Sequence, residues 1–172
     1  MQEIATNLLK SKLPALLEKF PEAILDAEDH CGDLSVVVRP DSSVEVIRFL
    51  KEELDYKMMI DLFGMDYLKI DPPTLERFAV VYILYSLSTH KHLRLKVYLS
   101  EFKPEIDSIH FLYKAANWFE REAWDLFGIR FRNHPHLTRI LCHDDFVGHP
   151  LRKDYPADGY QRLKEPITST EL

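Results

Sequence analysis

A chain of 172 residues suits a single folding unit with a sizeable apolar core and no need of covalent staples. Its formal net charge of −6 argues against nucleic-acid binding, which calls for a basic surface. The two cysteines, Cys31 and Cys142, show no metal-finger or CxxC spacing; they read as buried or idle thiols of a reducing compartment. The longest apolar run, Phe78 to Leu87, falls well short of the ~20 residues that span a bilayer. No basic flank followed by an apolar stretch marks a secretory signal. The expectation is a cytoplasmic chain with no direct membrane insertion.

Ile4, Ala5, Leu8, Leu9, Leu16, Leu17 and Phe20 recur at helical spacing, with Pro14 either kinking one helix or opening a second. Leu34, Val36 and Val38 alternate as a strand, which Pro40-Asp41-Ser42 stops. Ser42 and Glu45 have the spacing of a capping box, opening a helix with Val44, Ile47, Leu50 and Leu54 on one face. Three strands are expected next, near Lys57–Leu68, Arg77–Leu87 and Leu93–Leu99. The middle one is apolar on both faces and belongs in the centre of a sheet. The last alternates, so one of its faces should meet polar surroundings. Ser-Thr-His-Lys-His between them reads as a hairpin loop, and Pro72-Pro73 as a break.

This order predicts an α+β fold: a two-layer domain, residues 1–128, with a mostly antiparallel and possibly mixed sheet of four to five strands. Helices lie on one face. A final helix leads into an extended, irregular arm, residues 129–172. No Gly-rich phosphate loop, strained nucleophile turn or paired cysteines are present.

The most informative helix starts near Asn117. Asn117 is a good N-cap, Glu120 stands where a capping box needs it, and Gly128 supplies the exit. At roughly 100° per residue, Phe119, Ala123, Leu126 and Phe127 share an apolar arc. Glu122 then falls inside the arc, between Trp118 and Leu126, where a carboxylate needs a partner. Arg139 and Arg152 are the candidates. Glu122→Ala is accordingly expected to do more harm than Glu120→Ala. Trp124 falls on the opposite side beside Glu120, either as an anchor for a partner or covered by the chain's own C-terminal segment.

His134, His136, Cys142, His143, Asp144, Asp145 and His149 make the one metal-like grouping, but their spacing fits no structural zinc pattern. From Asp144 to Pro156, two prolines, a glycine and alternating charge leave no periodicity. That stretch is expected to be disordered or to lie along another surface, with Phe146, Leu151 and Tyr155 among Arg152, Lys153 and Asp154 suiting a segment that wraps a partner. Deleting residues 144–172 should then leave a folded domain.

Residues Asn117–Phe127 (NWFEREAWDLF), His134–Leu141 (HPHLTRIL) and Asp144–Pro156 (DDFVGHPLRKDYP), in that order, resemble the C subunit of NADH-quinone oxidoreductase, respiratory complex I (the NuoC family). Ile60-Asp61-Leu62 with Asp66-Tyr67, the Arg77–Leu87 strand and Leu93–Val97 are similar to it in order and spacing. The resemblance covers about residues 56–156. Thr138 departs from it, where relatives carry a basic residue before Arg139.

The resemblance implies a peripheral-arm protein packed against the D subunit near the quinone-reducing end, with cluster-bearing subunits close by. It implies enzyme activity only as part of the proton-translocating complex, on the cytoplasmic side of the bacterial inner membrane. FMN, iron–sulfur clusters and quinone would sit on other subunits, and this chain would carry no catalytic, cofactor or metal residue. The interface candidates are Glu120, Arg121, Glu122, Trp124, Asp125, His134, Arg139, His149, Arg152, Lys153 and Tyr155. Alternatives are the matching component of an energy-converting hydrogenase or deazaflavin-type (F420) dehydrogenase, a general adaptor, and a metal hydrolase built on His134, His136, His143 and His149.

Overall fold

The structure is a computed structural model, and it describes residues 2–69, 76–159 and 161. The Pro72-Pro73 break and the last part of the arm, residues 162–172, lie outside the described residues. Two helices open the chain, α1 (Gln2–Lys12) and α2 (Pro14–Lys19). Pro14 occupies the first turn of the second, where its missing N–H and fixed φ suit a helix start. Strands β1 (Ile24–His30) and β2 (Asp33–Val38) follow, then α3 (Ser43–Glu52), β3 (Met58–Asp66), β4 (Phe78–Ser86) and β5 (Lys91–Leu99). The short β6 (Glu105–Asp107), helix α4 (Ala116–Phe127) and β7 (Arg130–Arg132) complete the order.

The five-stranded sheet runs β1-β2-β5-β4-β3 and is mixed: all pairs are antiparallel except β2 with β5. The doubly apolar strand β4 is interior, but β5 holds the middle because β2 joins it in parallel. The register stacks Phe78 on Leu99, Val80 on Val97, Tyr82 on Leu95 and Leu84 on Leu93. These side chains form one core with Leu9, Leu16, Ile47, Leu50, Ala116 and Ala123 from the helices. The helices therefore bury one face of the sheet.

On the other face the period-2 alternation puts Arg94, Lys96 and Tyr98, all half-exposed. Lys96 pairs with Glu28 at 3.0 Å, and Arg94 donates to Ser35 Oγ at 3.3 Å. The polar face expected for this strand is therefore present.

Two local expectations give way. Ser42 precedes α3 but makes no capping bond; Ser43 Oγ instead donates to the Pro40 carbonyl at 2.8 Å. A 3-10 turn at Pro40–Ser42 has already curled the chain, so Ser42 lacks the extended backbone that an N-cap side chain needs. Strand β1 escaped the periodicity reading because Asp26, Glu28, Asp29 and His30 fill an outer edge. It is turned into β2 by Cys31 and Gly32, both at positive φ (54° and 96°), the requirement of a tight two-residue hairpin.

Gly64 on β3 sets how closely α4 can approach. A Cβ there would stand 2.7 Å from Phe127 Cδ2 and 3.1 Å from Ile129 Cδ1. Gly64→Ala should destabilise the chain by about 1–3 kcal/mol through overpacking. A lowered urea midpoint at unchanged slope would show it.

Candidate functional site

Helix α4 is enclosed on two sides, and this decides what its charged residues do. Ala116, Glu120 and Ala123 are buried; with Phe127 they fall within an arc of roughly 60° at 100° per residue. That arc faces the sheet. It is rotated from the expected one because a helix this close to Gly64 presents small residues inward, leaving Phe119 and Leu126 half-buried at the flank. Asp125 lies roughly opposite the arc, yet it is 0% exposed. The C-terminal arm covers it.

Asp125 organises the arm. Its Oδ2 accepts three successive backbone N–H groups, from Ile140 (3.0 Å), Leu141 (2.8 Å) and Cys142 (2.9 Å), a nest of the kind that binds anions. Its Oδ1 takes Arg139 Nη1 at 2.5 Å. Arg139 Nη2 goes on to donate to the carbonyls of Phe146 (2.6 Å) and Gly148 (3.1 Å). The same guanidinium lies over the rings of Trp124 and Phe146, 5.7 and 5.5 Å from their centroids. Burial alone would raise the Asp125 pKa. The three N–H donors and Arg139 outweigh it and bring the carboxyl down to about 2.

Further ties extend along the arm. Arg121 donates to the carbonyls of Thr138 (3.1 Å) and Arg139 (2.8 Å). His149 Nδ1 donates to the Asp125 carbonyl at 2.9 Å. Leu151 N–H and Arg152 Nε cap the end of α4 on the carbonyls of Leu126 (3.0 Å) and Phe127 (2.6 Å). Gly128 leaves the helix at φ 74°, a left-handed exit that glycine adopts without strain. Lys153 N–H reaches Asp66 Oδ2 at 2.8 Å, and Asp66 also holds Arg77 (3.1 and 3.0 Å). Tyr155 stacks on Phe146 with centroids 5.9 Å apart.

A second carboxylate, Glu120, is buried without a cation in contact. Oε2 accepts the Ser108 hydroxyl at 2.5 Å and Oε1 the Ile109 N–H at 2.7 Å. His134 Nε2 stands 3.9 Å away, but it donates to the Asn117 carbonyl at 3.1 Å while its Nδ1 accepts the His136 N–H at 3.1 Å. Both ring nitrogens are thus committed to the neutral tautomer, and burial holds the His134 pKa below its ordinary value. Burial likewise pushes Glu120 up to about 7, against the Ser108 and Ile109 bonds. The nearby phenol of Tyr82 is fully buried and finds no hydrogen-bond partner among the described residues.

The expected capping box is therefore absent. The helix starts at Ala116, one residue before Asn117, with no side-chain cap, and Glu120 turns inward instead of back to the helix start. Glu122 is the larger correction. It is exposed, outside the buried arc, and bonded to neither Arg139 nor Arg152. In the isolated chain Glu122→Ala should change stability by no more than about 0.5 kcal/mol, measured by chemical denaturation, whereas Glu120 is the residue that matters.

Trp124 is half-buried under the chain's own arm, its indole meeting His149 edge-on at 6.4 Å. The described part of the arm is bonded to the domain, since Arg152 and Lys153 complete the bonding of α4 and Asp66. Its deletion leaves those groups uncovered. Ser108 and Tyr82 were missed by the sequence reading, and Asp66 and Arg77 entered it only through the family resemblance, not as site candidates. Only the aspartate–arginine pair could have been suspected, as charges bracketing strand ends. Cys31 is exposed and Cys142 half-buried. Among the described residues no three of His, Cys, Asp or Glu converge to hold a metal ion.

Residues 36–161 match the family model described as respiratory-chain NADH dehydrogenase, 30 kDa subunit. This chain belongs to that family. Its relatives include the C subunit of NADH-quinone oxidoreductase from Geotalea uraniireducens, 47% identical over 147 residues, covering 86% of this chain and 87% of the relative. The protein of the same description from Geobacter sulfurreducens is 46% identical over 147 residues, covering 86% and 89%. Among solved structures, a trypsin-resistant fragment of Nqo5 is 34% identical with a TM-score of 0.66, covering 75% of this chain and 98% of that one. A chain of the archaeal membrane-bound sulfane sulfur reductase shares the fold, with a TM-score of 0.72 at 20% identity over 92% of this chain and 98% of that one. The span matched to the family contains β3 to β5, α4 and the described arm.

Proposed function

We propose that this chain is a non-catalytic peripheral-arm component of a proton-translocating NADH-quinone oxidoreductase, bracing the D subunit beside the quinone-reducing module. The observation that carries this reading is its family membership, with relatives named as the C subunit of that enzyme at 46–47% identity over most of both chains. The geometry supports a mechanical role. Two charged residues of α4 fix the arm: Arg121 and Asp125 bond to its backbone, and Asp125 pairs with the arm's Arg139. The arm is thereby prefolded, and prefolding lowers the ordering cost of docking.

FMN, iron–sulfur clusters and quinone are assigned to neighbouring subunits. Two cysteines in the whole chain do not supply the four thiolates of an ordinary cluster. No helix among the described residues is long and apolar enough to cross a membrane, so attachment on the cytoplasmic side of the inner membrane would run through the complex. Of the surface candidates, Glu122 and the Lys153 side chain are exposed and free to meet a neighbour; Trp118, outside that set, is exposed too, with the Arg121 guanidinium over its ring.

Tagging the chain in its native host and identifying stoichiometric companions tests the proposal. An NADH-binding flavoprotein and the D subunit should co-purify. Recovery with hydrogenase components, or of the chain alone, would refute it.

A further inference from the structure

The two edges of the sheet differ in character. β1 carries Asp26, Glu28, Asp29 and His30 along its length, charges that discourage another strand from pairing there. β3 is nine residues long with no lysine, arginine or proline. It exposes Met58 (48%), Ile60 (41%) and Phe63 (37%). Asp61 and a bulge at Met59–Asp61 interrupt this edge, yet its exposed apolar side chains still favour a covering partner.

Where β3 meets α4 there is a pocket of about 180 Å³, lined by Phe63, Gly64, Ala123, Leu126, Phe127 and Leu151. A dry apolar cavity of about 150 Å³ holds a benzene ring, so one aromatic or branched side chain fits. Absence of a side chain at Gly64 helps open the space. The one charged group in the lining is Glu122, exposed and without a hydrogen bond or ion pair among the described residues. The arginines nearest along the chain cannot serve it: Arg121, Arg139 and Arg152 are each committed to arm or helix-end oxygens.

We infer that this pocket seats one apolar side chain of a neighbouring subunit, flanked by a lysine or arginine that pairs with Glu122. The inference rests on the reading of the chain as part of a larger assembly, and it names the contact chemistry. The apolar side chain supplies burial, and the cation answers an otherwise unpaired carboxylate whose removal from water would oppose docking. Exposed Leu151 on the arm closes one wall. The arm therefore shapes the pocket, which ties its latching by Asp125 to partner binding.

The test uses the assembled complex. A photo-crosslinking phenylalanine analogue at Leu151 should label one neighbouring protein, at an apolar residue with a lysine or arginine within a turn or strand step. Glu122→Lys should reduce retention of this chain in the complex about 10-fold, the order expected for reversing a close interface charge. Its isolated fold should stay unchanged by circular dichroism. Substituting glutamate for the mapped cation should restore retention. Crosslinks to a segment without a basic residue, or unchanged retention of Glu122→Lys, would overturn the pocket while leaving membership of the complex standing. Absence of the wild-type chain from any such complex would overturn both.

Discussion

Asp125→Ala should lower stability by about 3–5 kcal/mol and free residues 139–149 from α4. The magnitude is that of breaking a buried ion pair from one side, because the remaining partner keeps its charge and loses its neutraliser. Here the survivors are Arg139, only partly exposed, and three amides that all point at the missing oxygen. The effect should be read by hydrogen exchange. The amides of Ile140, Leu141 and Cys142 should lose protection together, while β4 and β5 hold theirs. Asp125→Asn keeps one acceptor oxygen and should fall between the two. Since this carboxyl titrates near 2 when folded and near 3.8 otherwise, its contribution is complete above about pH 4 and is lost as the pH falls towards 2. Uniform protection in Asp125→Ala would show that the arm is held by its other contacts.

Glu120 predicts the opposite pH response. The folded chain raises this group from 4.5 to about 7, so between those values it binds more protons folded than unfolded. Stability is therefore full below about pH 4.5 and declines as the pH rises through 7, by roughly 3 kcal/mol for a shift of this size. Glu120→Gln removes the charge but keeps an oxygen for the Ile109 N–H and an amide that can donate to Ser108 Oγ. It should equal the wild type near pH 5 and exceed it at pH 8. Unfolding midpoints across that range would decide it; parallel curves for the two proteins would locate the proton elsewhere. Glu120→Ala, which strands the Ser108 hydroxyl and the Ile109 amide, should be destabilised at every pH.

The sheet was largely legible because its apolar strands obey period 2 and end at prolines or turn residues. The helix phase was not. Assigning Phe119, Ala123, Leu126 and Phe127 to the core assumed that large side chains mark the inward face. Gly64 on a distant strand lets the helix sit so close that Ala116 and Ala123 go inward instead. Glu120 follows them and is satisfied by Ser108, twelve positions upstream. Neither fact has a local signal. Periodicity also misses a helix covered on two sides, since Asp125 looks like an ordinary surface residue until an irregular segment folds over it. The family motif registered the importance of these residues without revealing that their bonds are internal. Short strands such as β6 and β7, three residues each, fall below any periodic test.

The single parallel seam bears on how the chain reaches this state. β3, β4 and β5 can assemble from neighbouring hairpins, whereas β2 must find β5 across a long stretch of chain; Ser35 and Arg94, in register there, are 59 positions apart. Closing so wide a loop comes before its contacts can repay the lost entropy, and such pairings slow folding. During synthesis the first hairpin emerges with its inner edge unsatisfied and waits for β5 to leave the ribosome. Until then Val36 and Val38 need shelter, so the dependence of this protein on its surroundings starts before any assembly, in the order in which its own sheet is stitched.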